Sequence, residues 1–222
     1  MINLTPRLSA AASLLKGGGI IADIGTDHGY LPIYLIQSGK IEKAIAADIG
    51  KMPLENARKS VAQYGFADRI ELRLSDGLNS FSENEVDEIV FAGMGGTLIA
   101  EKLKETEWIK NKKLHFVFQP QSRAEDLRAF LYSNGFEIGT ELATHEGDRF
   151  YIALDAFYTG KVEAFSAADC FLGKLPKTDD AKTHIKKQIN RLQNRYDALC
   201  EKGEKDEELF ETIEKLKDFV ND

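Results

Sequence analysis

The chain has 222 residues, a net charge of −7 and a hydrophobic fraction of 43%, which fit one domain of ordinary size with a small appendage. The acidic balance argues against indiscriminate nucleic-acid binding, although it allows a local basic face. No apolar run approaches the length of a membrane span and no signal-peptide pattern opens the chain, so a cytoplasmic protein is expected. Cys170 and Cys200 lack metal-ligand spacing, which predicts reduced thiols and no metal site.

The first predicted element is a helix over residues 4–16. Thr5 is placed to cap its N-terminus, Pro6 occupies the first helical position, and three consecutive glycines end it. The apolar residues of this helix share one face, and Arg7 lies off that face. Arg7 is therefore either a solvated charge or a contact for a ligand or RNA.

The stretch from Ile20 to Pro32 predicts a buried strand, a glycine-containing turn and the start of a helix over 30–38. Such a turn typically holds a nucleotide-like cofactor, because glycine admits the ligand close to the backbone and the helix N-terminus offers free N–H groups. Compared with the pattern G-x-G-x-x-G, the turn has Gly25 and Gly29, but Asp27 stands where the second glycine would be. Asp23 and Asp27 would repel a pyrophosphate and suit a cation that carries an amine and a sulfonium. The turn therefore indicates S-adenosylmethionine rather than NAD.

Two further strand ends supply carboxylates. A strand over 43–48 ends at Asp48, where an acidic residue can accept both ribose hydroxyls of a bound nucleoside, or alternatively cap the helix over 54–64. The next strand, 69–74, is followed by Asp76 and Gly77. Asp76 is predicted to accept a hydrogen bond from an adenine amino group, and the alternative is a common Asp-Gly turn.

A second unit of strand, glycine-rich loop and helix follows. The strand over 86–92 leads into Gly93-Met94-Gly95-Gly96 and a helix over 97–104. A loop without bulk lets a flat substrate or the methyl end of the cofactor come close, or it forms only a structural turn. After a fifth strand, 114–118, the amides of Gln119 and Gln121 either read the edge of a base or cap the helix over 123–133.

The last two strands, 136–144 and 149–157, are joined by a turn at 146–148. The α/β alternation therefore closes with a β-hairpin instead of another βαβ unit. This ending is typical of a class I methyltransferase and unlike a dehydrogenase. The predicted fold class is α/β, with a Rossmann-like, mostly parallel sheet that ends in an antiparallel β-hairpin.

The C-terminal segment changes character. Apolar residues recur at helical spacing on both sides of Gly203, which predicts an antiparallel, coiled-coil-like α-helical hairpin. We divide the chain into a cofactor-binding domain, residues 1–160, and this hairpin, residues 161–222. The first helix has no acidic residue from Ala181 to Tyr196, whereas the second is acidic. Its cations either follow RNA phosphates or pair with the acidic helix; they are Lys182, Lys186, Lys187, Arg191 and Arg195.

With these elements in place, the chain resembles the bacterial tRNA (adenine-22-N1)-methyltransferases, the TrmK family. The resemblance is carried by residues 23–32, by Ala92–Gly96, by Gln119-Pro120 and by the helical tail, and it spans essentially the whole chain. The family usually has Ser and Ala where this chain has Thr26 and Gly29. It more often has Glu at Asp48 and Asn at Gln121.

The resemblance implies S-adenosylmethionine-dependent methylation of N1 of adenosine 22 in the D-arm of tRNA. N1 carries its own lone pair, so the reaction needs positioning and charge stabilisation rather than a strong base. N1 lies on the Watson–Crick edge, so the target base must be unpaired or flipped out before it reacts. His28 and Tyr30 would offer the base a flat surface, although a packed helix residue is the alternative for Tyr30.

These considerations assign residues to three roles. The predicted catalytic residues are Asp27, Tyr30, Gly93 and Met94. The predicted cofactor-binding residues are Asp23, Gly25, Thr26, Asp27, His28, Gly29, Asp48, Ile49, Asp76, Gly77, Gly93, Met94 and Gly95. The predicted RNA-binding residues are Arg7, Lys182, Lys186, Lys187, Arg191 and Arg195.

Other functions are weighed against this one. The same fold could methylate a small molecule or another RNA, but the basic tail helix argues against a small substrate. A non-catalytic RNA-binding protein on the same fold is disfavoured by the intact set of Asp23, Asp48 and Gly93–Gly96. A nicotinamide-dependent dehydrogenase is least consistent with Asp27 and the terminal β-hairpin.

Overall fold

The computed structural model describes residues 2–162 and 164–222, and its seven strands form one sheet in the order β3-β2-β1-β4-β5-β7-β6. The strands are β1 Ile20–Ile24, β2 Lys43–Asp48, β3 Ile70–Leu74, β4 Glu88–Ala92, β5 His115–Gln119, β6 Phe136–Glu146 and β7 Arg149–Tyr158. The helices are α1 Pro6–Leu14, α2 Tyr30–Gln37, α3 Lys51–Gln63, α4 Gly96–Lys104, α5 Ala124–Ser133, α6 Ala167–Leu172, α7 Asp179–Glu201 and α8 Glu207–Asn221, with a short 3-10 turn at Glu107–Lys110. No helix of the described residues is both long and apolar enough to cross a membrane.

The predicted fold class is confirmed. Strands β1 to β5 pair in parallel, whereas β7 runs antiparallel to both β5 and β6 and lies between them. The central strands are buried along nearly their whole length, as expected when helices cover both faces of a parallel sheet. The strand order reverses between β1 and β4, and this reversal opens a crevice at their carboxyl ends.

Some element boundaries differ from the predicted ones. Helix α3 begins at Lys51 rather than residue 54, because Gly50 is its N-cap and Pro53 is tolerated in a first turn whose N–H groups lack helical partners. Thr5 does precede α1 as its N-cap, with Pro6 first in the helix, but its side chain makes no capping hydrogen bond.

Helix α6 was not predicted from the sequence. Its N-terminus is a capping box in which the Ser166 backbone N–H donates to the Asp169 carboxylate at 2.6 Å, and the Ser166 hydroxyl accepts from the Asp169 N–H at 3.3 Å. The Ser-x-x-Asp spacing was the available signal. A helix of this length has no apolar period long enough to detect.

A buried ion pair joins α5, β6 and α6. Arg128 and Glu141 are 1% and 0% exposed, and Arg128 Nε donates to Glu141 Oε1 at 2.8 Å. Arg128 Nη1 also donates to the backbone carbonyls of Cys170 and Phe171. The register of β6 against β7 shifts between Ile138 and Glu141, so a β-bulge lies where the carboxylate enters the interior.

Helices α7 and α8 form the predicted antiparallel hairpin. Ile185 and Leu192 of α7 are buried with Ile213 and Leu216 of α8, in the same apolar cluster as residues of β4, β5 and α5. The hairpin therefore packs against the sheet domain through a shared apolar core. The division of the chain at residue 160 stays a prediction.

Candidate active site

A cavity of about 330 Å³ lies at the carboxyl ends of β1 and β4, where the strand order reverses. Thr5, the N-cap of α1, and Arg7 and Leu8 of its first turn form part of the cavity wall. Gln121 contributes to the wall from the loop after β5. The predicted cofactor and catalytic residues that line it are Asp23, Gly25, Thr26, Asp27, His28, Gly29, Tyr30 and Gly93. The structure therefore brings most of the first glycine turn together with the start of the second.

The first turn is shaped by two glycines in left-handed conformations. Gly25 has a φ of +81° and Gly29, the N-cap of α2, has a φ of +66°. Residues other than glycine rarely adopt such values. The N–H groups of Gly25 and Thr26 both donate to the Ala47 carbonyl, at 2.8 and 3.0 Å. A Cβ on Gly25 would lie 2.9 Å from the sulfur of Met94. The Met94 side chain of the second glycine loop thus lies against the backbone of the first.

Carboxylates dominate the electrostatics of this edge. Asp23 is 5% exposed, and burial raises its pKa from 3.8 to about 6, with the Thr26 hydrogen bond opposing the shift and the Asp48 charge adding to it. Burial also raises the pKa of Asp48, against a 2.6 Å hydrogen bond from the Gly50 N–H, and the Asp27 charge raises it further. In the described part of the chain neither Asp23 nor Asp48 pairs with a lysine or arginine. A ligand that carries positive charge fits this site.

The described residues contain no group of three or more His, Cys, Asp or Glu side chains arranged to hold a metal ion.

At the mouth of the cavity, the rings of His28 and Tyr30 stack at 5.0 Å with an interplanar angle of 14°. Asp27 lies 3.2 Å from His28 Nε2 and accepts a long hydrogen bond from Asn56. Tyr30 is 41% exposed, so it is not a packed helix residue. The pair presents a flat, accessible surface next to a carboxylate.

The remaining predicted cofactor residues lie along the same edge but do not line the cavity. Asp48 ends β2, and its carbonyl accepts from the Ser75 N–H at the end of β3. Asp76 forms an ion pair with Lys102 at 2.9 Å, a contact that sequence reasoning missed. Gly77 packs against the same lysine. Met94 and Gly95 belong to the second glycine loop, which follows β4. Ile49 is exposed there, together with Met52 and Leu74, two apolar residues that were also missed.

Arg7 is not a solvated charge. Its Nη1 donates to Gln119 Oε1 at 3.1 Å, its backbone N–H donates to the Glu146 carboxylate at 3.0 Å, and a Cβ on Gly93 would lie 3.1 Å from its guanidinium. Gln119 is fully buried. The expectation that the Gln119 amide reads a base or caps a helix is therefore wrong, because this amide holds Arg7. Gln121 alone of the two amides reaches the cavity.

The cations of α7 contact other parts of the chain. Lys187 Nζ donates to the Asp148 carbonyl and lies 4.7 Å from the Phe150 ring centroid. Arg191 pairs with Glu125 of α5 at 2.7 Å, and Arg195 pairs with Asp206, the N-cap of α8, at 3.6 Å. Of these three cations, only Arg195 therefore pairs with a residue of the acidic helix region, as the alternative expected. Lys182 and Lys186 have no ion-pair partner among the described residues.

Comparison with known proteins agrees with this geometry. A family model described as a methyltransferase domain matches residues 4–154. The tRNA (adenine(22)-N(1))-methyltransferase of Bacillus subtilis is 28% identical, over 99% of this chain and 98% of the relative. A crystal structure of a putative tRNA (m1A22) methyltransferase from Streptococcus pneumoniae is 31% identical, covers 98% of this chain and 100% of its own, and has a TM-score of 0.85. The structure of M. capricolum TrmK with S-adenosyl-homocysteine is 26% identical, covers 98% of each chain, and has a TM-score of 0.82.

Proposed function

The chain belongs to the class I, S-adenosylmethionine-dependent tRNA (adenine-22-N1)-methyltransferases, the TrmK family, and we propose that it methylates N1 of adenosine 22 in the D-arm of tRNA. The single observation that carries the proposal is the cavity at the sheet reversal, where the buried Asp23 lies with Asp27 and forms no ion pair with a lysine or arginine of the described residues. S-adenosylmethionine supplies a methyl group on a positively charged sulfur, and the carboxylates fit that charge.

The cofactor would lie along the carboxyl edge of β1 to β4. Asp48 is positioned at the end of β2 to accept the ribose hydroxyls, the role that an acidic residue takes there in related folds. Asp23 and Asp27 balance the positive charges of the cofactor. Exposed Ile49, with Met52 and Leu74, provides apolar surface for the adenine ring, and burial of that surface on binding contributes to affinity.

In the reaction, N1 of the target adenine uses its lone pair to form a bond with the methyl carbon, and the bond from that carbon to sulfur breaks. The positive charge passes to the base, which needs no proton transfer in this step. Asp27 and the carbonyls of the Gly93–Gly96 loop stabilise the charge, and the stacked His28 and Tyr30 hold the base in line. Rate enhancement thus comes from orientation and fixed charges.

The RNA would be held through its phosphates by cations of α7, which give affinity and little sequence information. Arg7 belongs to the reaction site rather than to this surface, since Gln119 and Glu146 fix it beside Gly93. Because N1 lies on the Watson–Crick edge, adenosine 22 must be unpaired or flipped out of its stack to react in the cavity. A tRNA substrate places the reaction in the cytoplasm.

The test is methyl transfer from labelled S-adenosylmethionine to unmodified tRNA, followed by digestion and identification of the labelled nucleoside. We expect 1-methyladenosine from wild-type tRNA and none from tRNA that carries guanosine at position 22. Asp48→Asn should abolish the signal, whereas Asp68→Asn, an exposed carboxylate in the turn before β3, should leave it unchanged.

The alternatives give different results. An enzyme with a small-molecule substrate would bind the cofactor and leave tRNA unlabelled. A non-catalytic RNA-binding protein would bind tRNA and show no cofactor affinity. Label in a nucleoside other than 1-methyladenosine would refute the target atom while it preserved the enzyme class.

A further inference from the structure

A groove runs between α5 and α7, beside the cofactor cavity. It consists of two adjoining cavities of about 250 and 370 Å³, and Arg123, Glu125, Phe171 and Arg191 line both of them. Because these residues are shared, the two cavities lie side by side along α7. Gln121 lines both the first of these cavities and the cofactor cavity. The groove therefore begins at the reaction site and leads outward along α7.

The groove has more positive than negative side chains. Its cations include Arg123, Lys187, Arg191 and Arg195, and the carboxylates that face them are Glu125, Asp126 and Asp206. The arginine side chains are 44–65% exposed, so their ion pairs are weak and exchange readily with other anions. Lys187 has a carbonyl and an aromatic ring as neighbours but no carboxylate partner in the described part of the chain.

The wall between the cations is apolar or neutral. Lys187 lies over the Phe150 ring and Arg191 over the Phe171 ring, which holds both cations against the wall. Burial, together with the Arg128 charge, lowers the pKa of His184 to about 4, so this ring is neutral at physiological pH. Alternating cations and flat surfaces are the chemistry that single-stranded nucleic acid requires.

We propose that this groove binds the single-stranded RNA segment adjoining the flipped adenosine, with Arg123, Lys187 and Arg191 on its phosphates. The proposal rests on the proposed function, because the segment must be attached to a base in the cofactor cavity. It assigns the cations of one face of α7 to the RNA path. With 3.6 residues per turn, Lys182 and Lys186 lie on the opposite face from His184 and Arg191 and outside this path.

Site-directed crosslinking tests the path of the RNA. In the full chain with Cys200→Ser, Gln188→Cys carries an azidophenacyl group in the groove, and Asn190→Cys carries the same group on the other face of α7. Cys170 lines the second cavity but is buried, and burial raises its pKa to about 11, which disfavours labelling; the chain with Cys200→Ser alone, treated in the same way, measures any label that Cys170 takes up. We expect the Gln188→Cys protein to crosslink to nucleotides next to the methylated adenosine, and the Asn190→Cys protein not to. Absence of that crosslink in a variant that still methylates tRNA refutes the proposal.

Salt dependence of tRNA affinity gives a second readout. Lys187→Gln with Arg191→Gln removes two phosphate contacts and should lower the log–log slope of affinity against salt by roughly 1.5, at 0.7–0.9 per contact. Lys112→Gln with Lys113→Gln, exposed lysines before β5, should leave the slope unchanged. Glu125→Gln frees Arg191 and should tighten binding.

The results separate the two proposals. The proposal that RNA follows the groove would be wrong if the salt-dependence slope fell equally in the Lys112 and Lys113 variant. It would also be wrong if tRNA affinity were unchanged in both double variants. Cofactor affinity should be the same in every variant, because none of these residues lines the cofactor cavity or is one of the predicted cofactor-binding residues. Failure of the unaltered protein to methylate tRNA would instead refute the proposed function.

Discussion

Replacement of Asp23 by asparagine should stabilise the ligand-free protein while it weakens cofactor binding. Asp23 is 5% exposed, and burial raises its pKa from 3.8 to about 6. At about 1.36 kcal/mol for each pKa unit, the buried carboxylate costs about 3 kcal/mol of folding stability at neutral pH. Asparagine has nearly the same shape and keeps an acceptor for the Thr26 hydroxyl, so it removes the charge with little repacking.

The effect has a definite dependence on pH. Between the unfolded and folded pKa values the folded protein retains a proton that the unfolded chain has released, so the free energy of unfolding falls as pH rises. The variant lacks this titration. Its stability relative to the wild type should therefore rise by about 2 kcal/mol between about pH 4.5 and pH 7.5, and level off above the folded pKa.

Urea unfolding of both proteins at several pH values, without cofactor, measures this difference. Asp68→Asn is the control, because an exposed carboxylate should give a difference that stays constant over the same range. Calorimetric titration with S-adenosylmethionine should show much weaker binding to Asp23→Asn. A stability difference between wild type and variant that did not change with pH would refute the claim that Asp23 is held charged in a poorly solvated site.

Three further changes test other parts of the structure. Asp48→Ala should abolish cofactor binding in calorimetry and leave tRNA affinity in filter binding nearly unchanged; a parallel loss of tRNA affinity would mean that Asp48 supports the fold. Arg128→Ala should cost about 3–5 kcal/mol in urea unfolding, because it leaves Glu141 charged and buried, and Arg128→Met combined with Glu141→Leu should cost less. Gly25→Ala should weaken cofactor binding and cost about 1–2 kcal/mol for the left-handed conformation, whereas an unchanged affinity would show that the turn can shift away from Met94.

The parallel part of the fold was predictable because most strands there are short apolar runs between clear stop signals, and β3 alternates apolar and charged residues. β2 was predicted with the bounds that the structure has, Lys43–Asp48, and the closing β-hairpin was recognised from its turn. The ion pair between Arg128 and Glu141 was not predicted from the sequence. Their contact depends on the register shift in β6, which brings together residues from separate elements, and no local pattern encodes that register.

The candidate site was predictable for a different reason. Residues at the carboxyl ends of parallel strands meet at one edge whatever their separation in the chain, so Asp23, Asp48 and Gly93 could be grouped from their positions alone. The partners of Arg7 could not be found this way, because Gln119 and Glu146 come from β5 and β6 and meet α1 only after the sheet has formed. The same limit applied to Arg191 and Glu125.

Three backbone hydrogen bonds connect the loops that line the cofactor cavity and the proposed RNA groove. The Gly93 N–H donates to the Gln119 carbonyl at 3.0 Å, the Gln121 N–H to the Met94 carbonyl at 2.8 Å, and the Gly96 N–H to the Ser122 carbonyl at 2.7 Å. These bonds join the second glycine loop to the loop after β5, from which the groove begins. A base held by its neighbouring phosphates is thus fixed relative to the transferred methyl group. A reaction that depends on alignment rather than on proton transfer would draw its rate enhancement from such a connection.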